Sequence, residues 1–240
     1  MRVGRFIGGR VATHHVSEGF HPPLEEYLEA MLALEEEGVA VIQARLVERL
    51  GHSAQTISET VHRLAENGWL RRTGRELELT EDGRRRAESV VRRHRLAERL
   101  LVDVLGLPWH LAHLEAGRWE HVISDEVEAR LVAVLGNPTT CPHGNPIPGA
   151  RADLTAQRLI ADSSPGESVR LARITEKVET DLEALAWLDA LGLVPGREAT
   201  ITARDEDGAV TVELGVGGPN RGESVSIGAA MSRQLYVEAC

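Results

Sequence analysis

Histidine and glutamate side chains recur at helical spacings in the N-terminal two-thirds of the chain. His94 and Glu98 are four residues apart, and Glu26 and Glu29 are three apart, so each pair shares one face of a helix. Further groups of the same two types follow: His113, Glu120 and His121. Imidazole and carboxylate groups without thiols suit Mn²⁺, Fe²⁺ or Zn²⁺. A single pair of this kind is more often a surface hydrogen bond or ion pair, and spacing alone does not bring the helices together.

The elements that must position these groups are predicted from apolar periodicity and capping residues. Helices are predicted at about 24–37, 43–50, 54–67, 81–105, 110–117 and 119–135. A short hairpin with outward charges is predicted around Thr73, Gly74 and Arg75. This assignment places Glu120 and His121 on the helix after the one that carries His113.

Two short helices joined by a tight turn and followed by a hairpin describe a winged helix-turn-helix. The second helix of such a unit enters the major groove, and its N-terminal end favours phosphate. The candidate DNA contacts are small polar groups on this helix and arginines around it: Arg45, Ser53, Gln55, Thr56, Ser58, Glu59, Thr60, Arg63 and Arg75, with Arg49, Arg71 and Arg72 nearby. The alternative is a solvated polar face on a helical hairpin.

The distribution of charge supports a nucleic-acid partner, although the total does not. The chain has 27 basic and 37 acidic residues and a net charge of −10. Residues 40–95 carry twelve arginines and eight acids, a net +4, whereas residues 21–39 carry six acids and no base. The basic segment coincides with the predicted DNA-binding unit.

Composition bounds the fold class and the compartment. An apolar content of 42% supports packed cores, no run approaches a membrane span of about 18 residues, and two cysteines cannot form a disulfide framework. We therefore expect a cytoplasmic protein with no membrane partner.

Glycine, proline and turn residues divide the chain at 136–149 and 162–166. The predicted division is a flexible tail at 1–20, a winged helix-turn-helix domain at 21–85, a helical domain at 86–160 and a module of short strands at 165–240. The fold class is mainly α with a small SH3-like β module. A plain stability domain is the alternative for that module.

Four stretches carry a family resemblance: EEYLEAMLALEEEG, HRLAERLL, RWEHVISDEVEARL and GNPIPG. Together they resemble the diphtheria toxin repressor family of metal-dependent regulators, which includes the manganese transport regulators. The resemblance runs from Glu25 to Gly149 and weakens in the C-terminal module. It implies a homodimeric transcriptional regulator that binds palindromic operator DNA when loaded with metal, and most simply a repressor of metal-uptake genes. It also implies a helical dimerisation and metal-binding domain and a C-terminal FeoA-type domain.

The resemblance also assigns residues to two metal sites, which implies two ions per subunit. The ancillary site comprises His94, Glu98, His113 and Glu179. The primary site comprises Glu26, Glu120 and His121, with Glu29 as a further carboxylate of manganese-type members. Leu182 stands where iron-type members have a glutamine ligand. Arg95 and Asn145 match an anion-binding pair, although its companion serine is replaced by Cys141.

Two departures affect the choice of metal. Gly117 stands where iron-type members have cysteine and manganese-type members usually an acid, and Glu26 replaces a methionine of iron-type members. The loss of both sulfur ligands hardens the site, so Mn²⁺ is favoured over Fe²⁺. Cys141 and His143 are interpreted as structural residues of a loop.

Apolar residues between Leu100 and Leu114 exceed what a small helical domain buries, and they fit a homodimer interface, although an intradomain core explains several of them.

Two other functions stay open. One is a metalloenzyme that uses the histidine and glutamate cluster, although the sequence has no HExxH motif and no Gly-rich phosphate loop. The other is a winged-helix regulator that has lost metal sensing, which Gly117 makes plausible.

Overall fold

The computed structural model describes residues 24–216 and 218–240, so the predicted tail at 1–20 lies outside the described residues. Buried apolar side chains form three clusters, one in each third of the described chain. The mainly helical fold with a C-terminal β module is confirmed.

The first cluster holds together three helices and a hairpin. The elements are α1 (Leu24–Glu36), α2 (Gln43–Leu50), α3 (Ala54–Glu66), β1 (Leu70–Thr73) and β2 (Glu76–Leu79). The turn between α2 and α3 is tight because Gly51 adopts a left-handed φ of 68°, and the Ser53 hydroxyl then accepts a bond from the Thr56 amide at 3.1 Å. Leu46 and Ile57 are fully buried in this cluster. This is the predicted winged helix-turn-helix.

The second cluster belongs to a helical domain built around α4 (Glu81–Arg99), which is followed by α5 (Ala112–Trp119) and α6 (Asp125–Val134). The predicted helix at 81–105 is regular only to Arg99, because its last turn, Leu100–Val104, is π-helical.

The helix predicted at 119–135 begins instead at Asp125. The Ser124 hydroxyl accepts a bond from the Val127 amide at 3.3 Å and starts this helix. Glu120 therefore caps the C-terminal end of α5, the helix that carries His113, and His121 lies in the turn that follows, so the prediction that both lie on the following helix is wrong.

The third cluster fills an antiparallel sheet whose strand order is β3-β8-β4-β5-β6-β7. Its strands are β3 (Arg158–Leu159), β4 (Ser168–Ile174), β5 (Glu198–Arg204), β6 (Val210–Leu214), β7 (Ser224–Ile227) and β8 (Leu235–Ala239). Three helices accompany the sheet: α7 (Glu176–Glu179), α8 (Leu182–Leu191) and α9 (Ala229–Ser232). Register shifts in the β4–β8 and β5–β6 pairings bend the sheet. None of the helices in the described ranges is long and apolar enough to cross a membrane.

Candidate metal centre and DNA interface

Helix α4 is the structural centre of the site. It packs against α1 on one side and α5 on the other. His94 is 5% exposed and Glu98 is fully buried, so their polar atoms face neighbouring helices instead of water. Carboxylates from α1 and donors from α5 therefore meet at one face of α4.

The predicted ancillary residues His94, Glu98, His113 and Glu179 come together, with one potential ligand atom from each within 4.8 Å of the others. His113 Nδ1 lies 3.3 Å from Glu98 Oε1 and 3.1 Å from Glu179 Oε2. His94 Nε2 lies 3.2 Å from Glu98 Oε1. Because Glu179 ends α7, the C-terminal module closes this group, whereas Leu182 is 44% exposed.

Two of the predicted primary residues, Glu29 and Glu120, form a second potential ligand group with His94, and Glu26 and His121 are not members of it. Glu29, His94 and Glu120 offer ligand atoms within 4.8 Å of one another. His94 Nδ1 is hydrogen-bonded to Glu120. His121 Nε2 lies 3.1 Å from Glu120 Oε1. Burial, with the nearby charge of Glu120, raises the pKa of Glu26. His94 was assigned to the ancillary site alone, but it lies between both groups.

Cys141 and His143 form a third group with Glu98 that the sequence interpretation missed. His143 is fully buried, and its Nδ1 lies 3.3 Å from Glu98 Oε1 and 3.5 Å from Glu179 Oε2. Among the described residues, His143 Nε2 and Glu98 Oε2 have no hydrogen-bond partner. Buried polar atoms without partners are costly unless a ligand satisfies them. The Cys-x-His spacing in the loop was the only sequence signal for this group.

Two groups of the centre, Glu29 and His113, have raised pKa values. Burial, with the nearby charge of Glu120, raises the pKa of Glu29 well above its usual range. Burial alone would lower the pKa of His113, but hydrogen bonds to Glu179 and Glu98 outweigh it and raise that pKa to about 10. Cation binding must displace any protons on these groups. Unpartnered lone pairs, buried carboxylates and buried imidazoles together fit a divalent cation.

The structure does not support the predicted anion-binding pair. The Arg95 guanidinium donates two hydrogen bonds to Glu36, at 3.0 and 2.6 Å, and it also lies 3.5 Å from Glu176. The Asn145 amide donates to the Ile174 carbonyl at 2.8 Å and to Glu179. The donors that would bind an anion are already used by acceptors of the chain itself.

The candidate DNA surface is the exposed face of α3 with the turn before it and the hairpin after it. The exposed candidates are Arg45, Ser53, Gln55, Ser58, Glu59, Arg63 and Arg75, and Thr56 is partly exposed. Thr60 is only 7% exposed because it lies on the face of α3 that packs into the domain, so the prediction that it contacts DNA is wrong. Arg49 is likewise withdrawn from the surface by its ion pair with Glu37.

A winged helix-turn-helix whose first helix carries carboxylates into a buried histidine and glutamate cluster defines a metal-dependent DNA-binding regulator. Sequence comparison agrees with this class. The family description "Iron dependent repressor, N-terminal DNA binding domain" matches residues 20–76, "Iron dependent repressor, metal binding and dimerisation domain" matches 80–149, and "FeoA domain" matches 159–239. The chain belongs to the iron-dependent repressor family, which includes the diphtheria toxin repressor.

Individual relatives carry both iron and manganese in their names. The iron-dependent repressor IdeR of Mycobacterium tuberculosis is 44% identical over 227 residues, which cover 89% of this chain and 96% of that protein. The diphtheria toxin repressor of Corynebacterium efficiens is 44% identical over 198 residues, covering 78% and 85%. A manganese-dependent transcriptional repressor solved with manganese is 32% identical, with a TM-score of 0.80 over 91% of this chain and all of that one.

These findings make the chain a metal-dependent transcriptional repressor with DNA and divalent metal ions as partners. The metalloenzyme alternative is wrong, since the relatives that the chain matches are repressors.

Proposed function

We propose that the chain is a homodimeric repressor that prefers Mn²⁺ to Fe²⁺ and, in the cytoplasm, binds palindromic operators of metal-uptake genes when two ions are bound to each subunit. One observation carries the proposal. Glu29, on the first helix of the DNA-binding domain, shares a ligand group with His94 and Glu120 of the helical domain. A cation held by these three residues joins the two domains.

The carboxylates of this group supply the switch. Glu26, Glu29 and Glu120 lie close together and largely out of water, so their charges oppose the packing of α1 against α4. When bound, a divalent cation supplies the positive charge that balances them. Glu29 then holds α1 against α4, and the position of α1 becomes fixed relative to the helical domain.

Helix α1 contacts the turn that positions the DNA-binding helix α3. Tyr27 follows Glu26 directly, is fully buried, and its hydroxyl lies 3.0 Å from His52 Nδ1 in the turn before α3. A shift of α1 would therefore move the turn that presents α3. Metal and DNA must strengthen each other's binding by the same factor, because linkage is reciprocal.

The preference for Mn²⁺ rests on the donor atoms of the primary group. Its candidates are the carboxylates Glu26, Glu29 and Glu120 and the imidazoles His94 and His121, with no sulfur among them. Oxygen-rich sites suit Mn²⁺, whereas sulfur favours softer metals. Cys141 lies beside the ancillary group, so we assign the preference for Mn²⁺, the harder ion, to the primary group alone.

Exposed apolar side chains on the helical domain support the homodimer. Val104, Leu105, Val122, Val127 and Val134 are between 47% and 80% exposed in the single chain. A two-fold dimer that covers them would present two α3 helices to two half-sites of a palindrome.

Binding of DNA across a series of divalent metals tests the proposal. Duplexes selected from a randomised library with Mn²⁺-loaded protein supply the probe, and fluorescence anisotropy measures affinity with Mn²⁺, Fe²⁺, Co²⁺, Zn²⁺ and Mg²⁺ at controlled free concentrations. We expect activation at free Mn²⁺ concentrations at which Fe²⁺ gives less DNA binding. Activation by Fe²⁺ at lower free concentration than Mn²⁺ would contradict the preference, and sedimentation of a monomer with metal and DNA would contradict the dimer.

A regulator that has lost metal sensing is the remaining alternative, since Gly117 offers no side-chain ligand. Metal analysis of the purified protein and its Glu120→Ala and His121→Ala variants separates the two. Loss of bound metal in the variants supports the proposal, and unchanged metal affinity in both supports the alternative.

A further inference from the structure

His94 presents a different ring nitrogen to each of the two ligand groups. Its Nδ1 is hydrogen-bonded to Glu120 and lies 3.8 Å from Glu29 Oε1. Its Nε2 lies 3.2 Å from Glu98 Oε1 and 2.9 Å from His113 Nδ1. The ring is 5% exposed, and it belongs to both potential ligand groups.

We propose that the two metal sites compete for His94, so that the ion bound at the primary group uses Nδ1 and thereby weakens binding at the ancillary group. This inference rests on the proposed function, because it assigns both groups to metal. A neutral imidazole has one nitrogen with a free lone pair and one that carries a proton. The side chain can therefore give a lone pair to only one ion at a time.

The surroundings of the ring decide which group takes the lone pair. When Nδ1 serves the primary group, Nε2 carries the proton and can donate it to Glu98 Oε1, 3.2 Å away. The ancillary group then keeps Glu98, His113 and Glu179, with His143 beside them. In the opposite tautomer, Nδ1–H would donate to Glu120, and the primary group would keep only carboxylates and His121. His143 can thus replace the His94 imidazole at the ancillary group, and this favours use of His94 Nδ1 at the primary group.

Competition for a ligand and plain repulsion between two cations both weaken the second ion, and substitution separates them. Isothermal titration with Zn²⁺ gives the affinity of the ancillary ion with the primary group filled, in the wild type, and with that group disabled, in Glu120→Gln. We expect the ancillary ion to bind about 5- to 150-fold more weakly when the primary group is filled. The same comparison is made in a His94→Gln background, where no shared ligand exists but the repulsion persists. The proposal predicts that the ratio falls towards one in that background, and an unchanged ratio overturns it.

A second readout uses the wild-type protein and needs no variant to fold. Nitrogen NMR of ¹⁵N-histidine-labelled protein with one and with two equivalents of Zn²⁺ reports which nitrogen of each ring is metal-bound and which carries a proton. The proposal predicts that His94 Nδ1 is metal-bound and Nε2 protonated at both ratios. Metal on Nε2, or on both nitrogens, overturns it.

The two proposals fail separately. If Zn²⁺ ions compete for His94 but DNA affinity does not depend on metal, the proposed function is wrong and the ligand sharing stands. If DNA binding requires metal but the two ions bind independently, the proposed function stands and the sharing is wrong.

Discussion

Replacement of Glu29 by glutamine should stabilise the metal-free protein while it weakens the response to metal. Glu29 and Glu120 belong to a group whose ligand atoms lie within 4.8 Å of one another. If both were ionised, two unit charges at that distance would repel by about 3.5 kcal/mol at an effective dielectric constant of about 20. Burial and this repulsion raise the pKa of Glu29, so the metal-free fold loses about 1.4 kcal/mol of stability per pH unit between 4.5 and the folded pKa. Glutamine keeps the size of the side chain and does not ionise, so it avoids this loss. We therefore expect Glu29→Gln to raise the free energy of unfolding of the metal-free protein at neutral pH by up to about 3 kcal/mol.

The sign of the pH dependence makes this prediction specific. Burial and the charge of Glu120 raise the pKa of Glu29 in the folded state above its unfolded value of 4.5. The folded state therefore holds a proton that the unfolded state has lost, and the stability of the wild type falls as the pH rises from 4.5 towards the folded pKa. The advantage of Glu29→Gln should be small near pH 4.5 and should grow towards neutral pH.

Urea unfolding in the presence of a chelator, at several values between pH 4.5 and 8, measures the effect. Glu25→Gln is the matched control, since Glu25 lies on the same helix, carries the same charge and belongs to none of the candidate ligand groups. At a free Mn²⁺ concentration of about 100 times Kd, the wild type should gain about 2.7 kcal/mol, and Glu29→Gln should gain less. A metal-free Glu29→Gln protein that is no more stable than Glu25→Gln at neutral pH would refute the reasoning.

Three further predictions test other parts of the account. His113 has a folded pKa of about 10, above its unfolded value of 6.5. Its contribution to the stability of the metal-free protein should therefore be complete below pH 6.5 and lost as the pH rises through 10. Urea unfolding across this range should show a smaller loss of stability in His113→Gln than in the wild type, and equal losses would contradict the assignment. Apart from its chain neighbours and the nearby backbone of α5, a Cβ added at Gly117 would meet no heavy atom of the described residues within 4 Å, so Gly117→Cys should fold. It should bind Zn²⁺ more tightly than Gly117→Ala in a competition titration, and equal affinities would show that the position does not face the site. Arg63→Gln should reduce the slope of log K for DNA against log salt by about 0.9 if Arg63 contacts one phosphate, whereas the exposed Arg151→Gln should leave the slope unchanged.

Local patterns predicted the DNA-binding unit well, because its helices begin and end at residues with strong local preferences. Ser53 and Gly51 fix the turn of the helix-turn-helix, and the apolar period of α3 fixes its inner face. The same period could have placed Thr60 inside, since it precedes the buried Val61 and lies three residues after Ile57. Its polar side chain directed the interpretation towards the surface.

The start of α6 was predicted six residues too early because the apolar and charged pattern continues across the break. Only the Ser124 cap marks the new helix, and a cap is a weaker signal than continued periodicity. The consequence was a wrong helix for Glu120 and His121; of these two, Glu120 belongs to the potential ligand group with Glu29 and His94.

The parts of the metal centre that sequence could not supply are those made by contacts between distant segments. His143 reaches Glu98 only because the loop before the C-terminal module folds back over α4. The shared position of His94 depends on α1, α4 and α5 packing together, since Glu29 precedes it by 65 residues and Glu120 follows it by 26. Spacing within one helix identified His94 and Glu98 as partners, but it could not identify the second partner of the ring.

The central claim is that metal held between the two domains controls DNA binding. The most direct measurement is the affinity of the wild-type protein for one selected duplex by fluorescence anisotropy, at fixed salt, with saturating Mn²⁺ and with a chelator. The account predicts binding at least about fivefold tighter with Mn²⁺, and most of that gain should be absent from Glu29→Gln. Equal affinity of the wild type in the two conditions would contradict it.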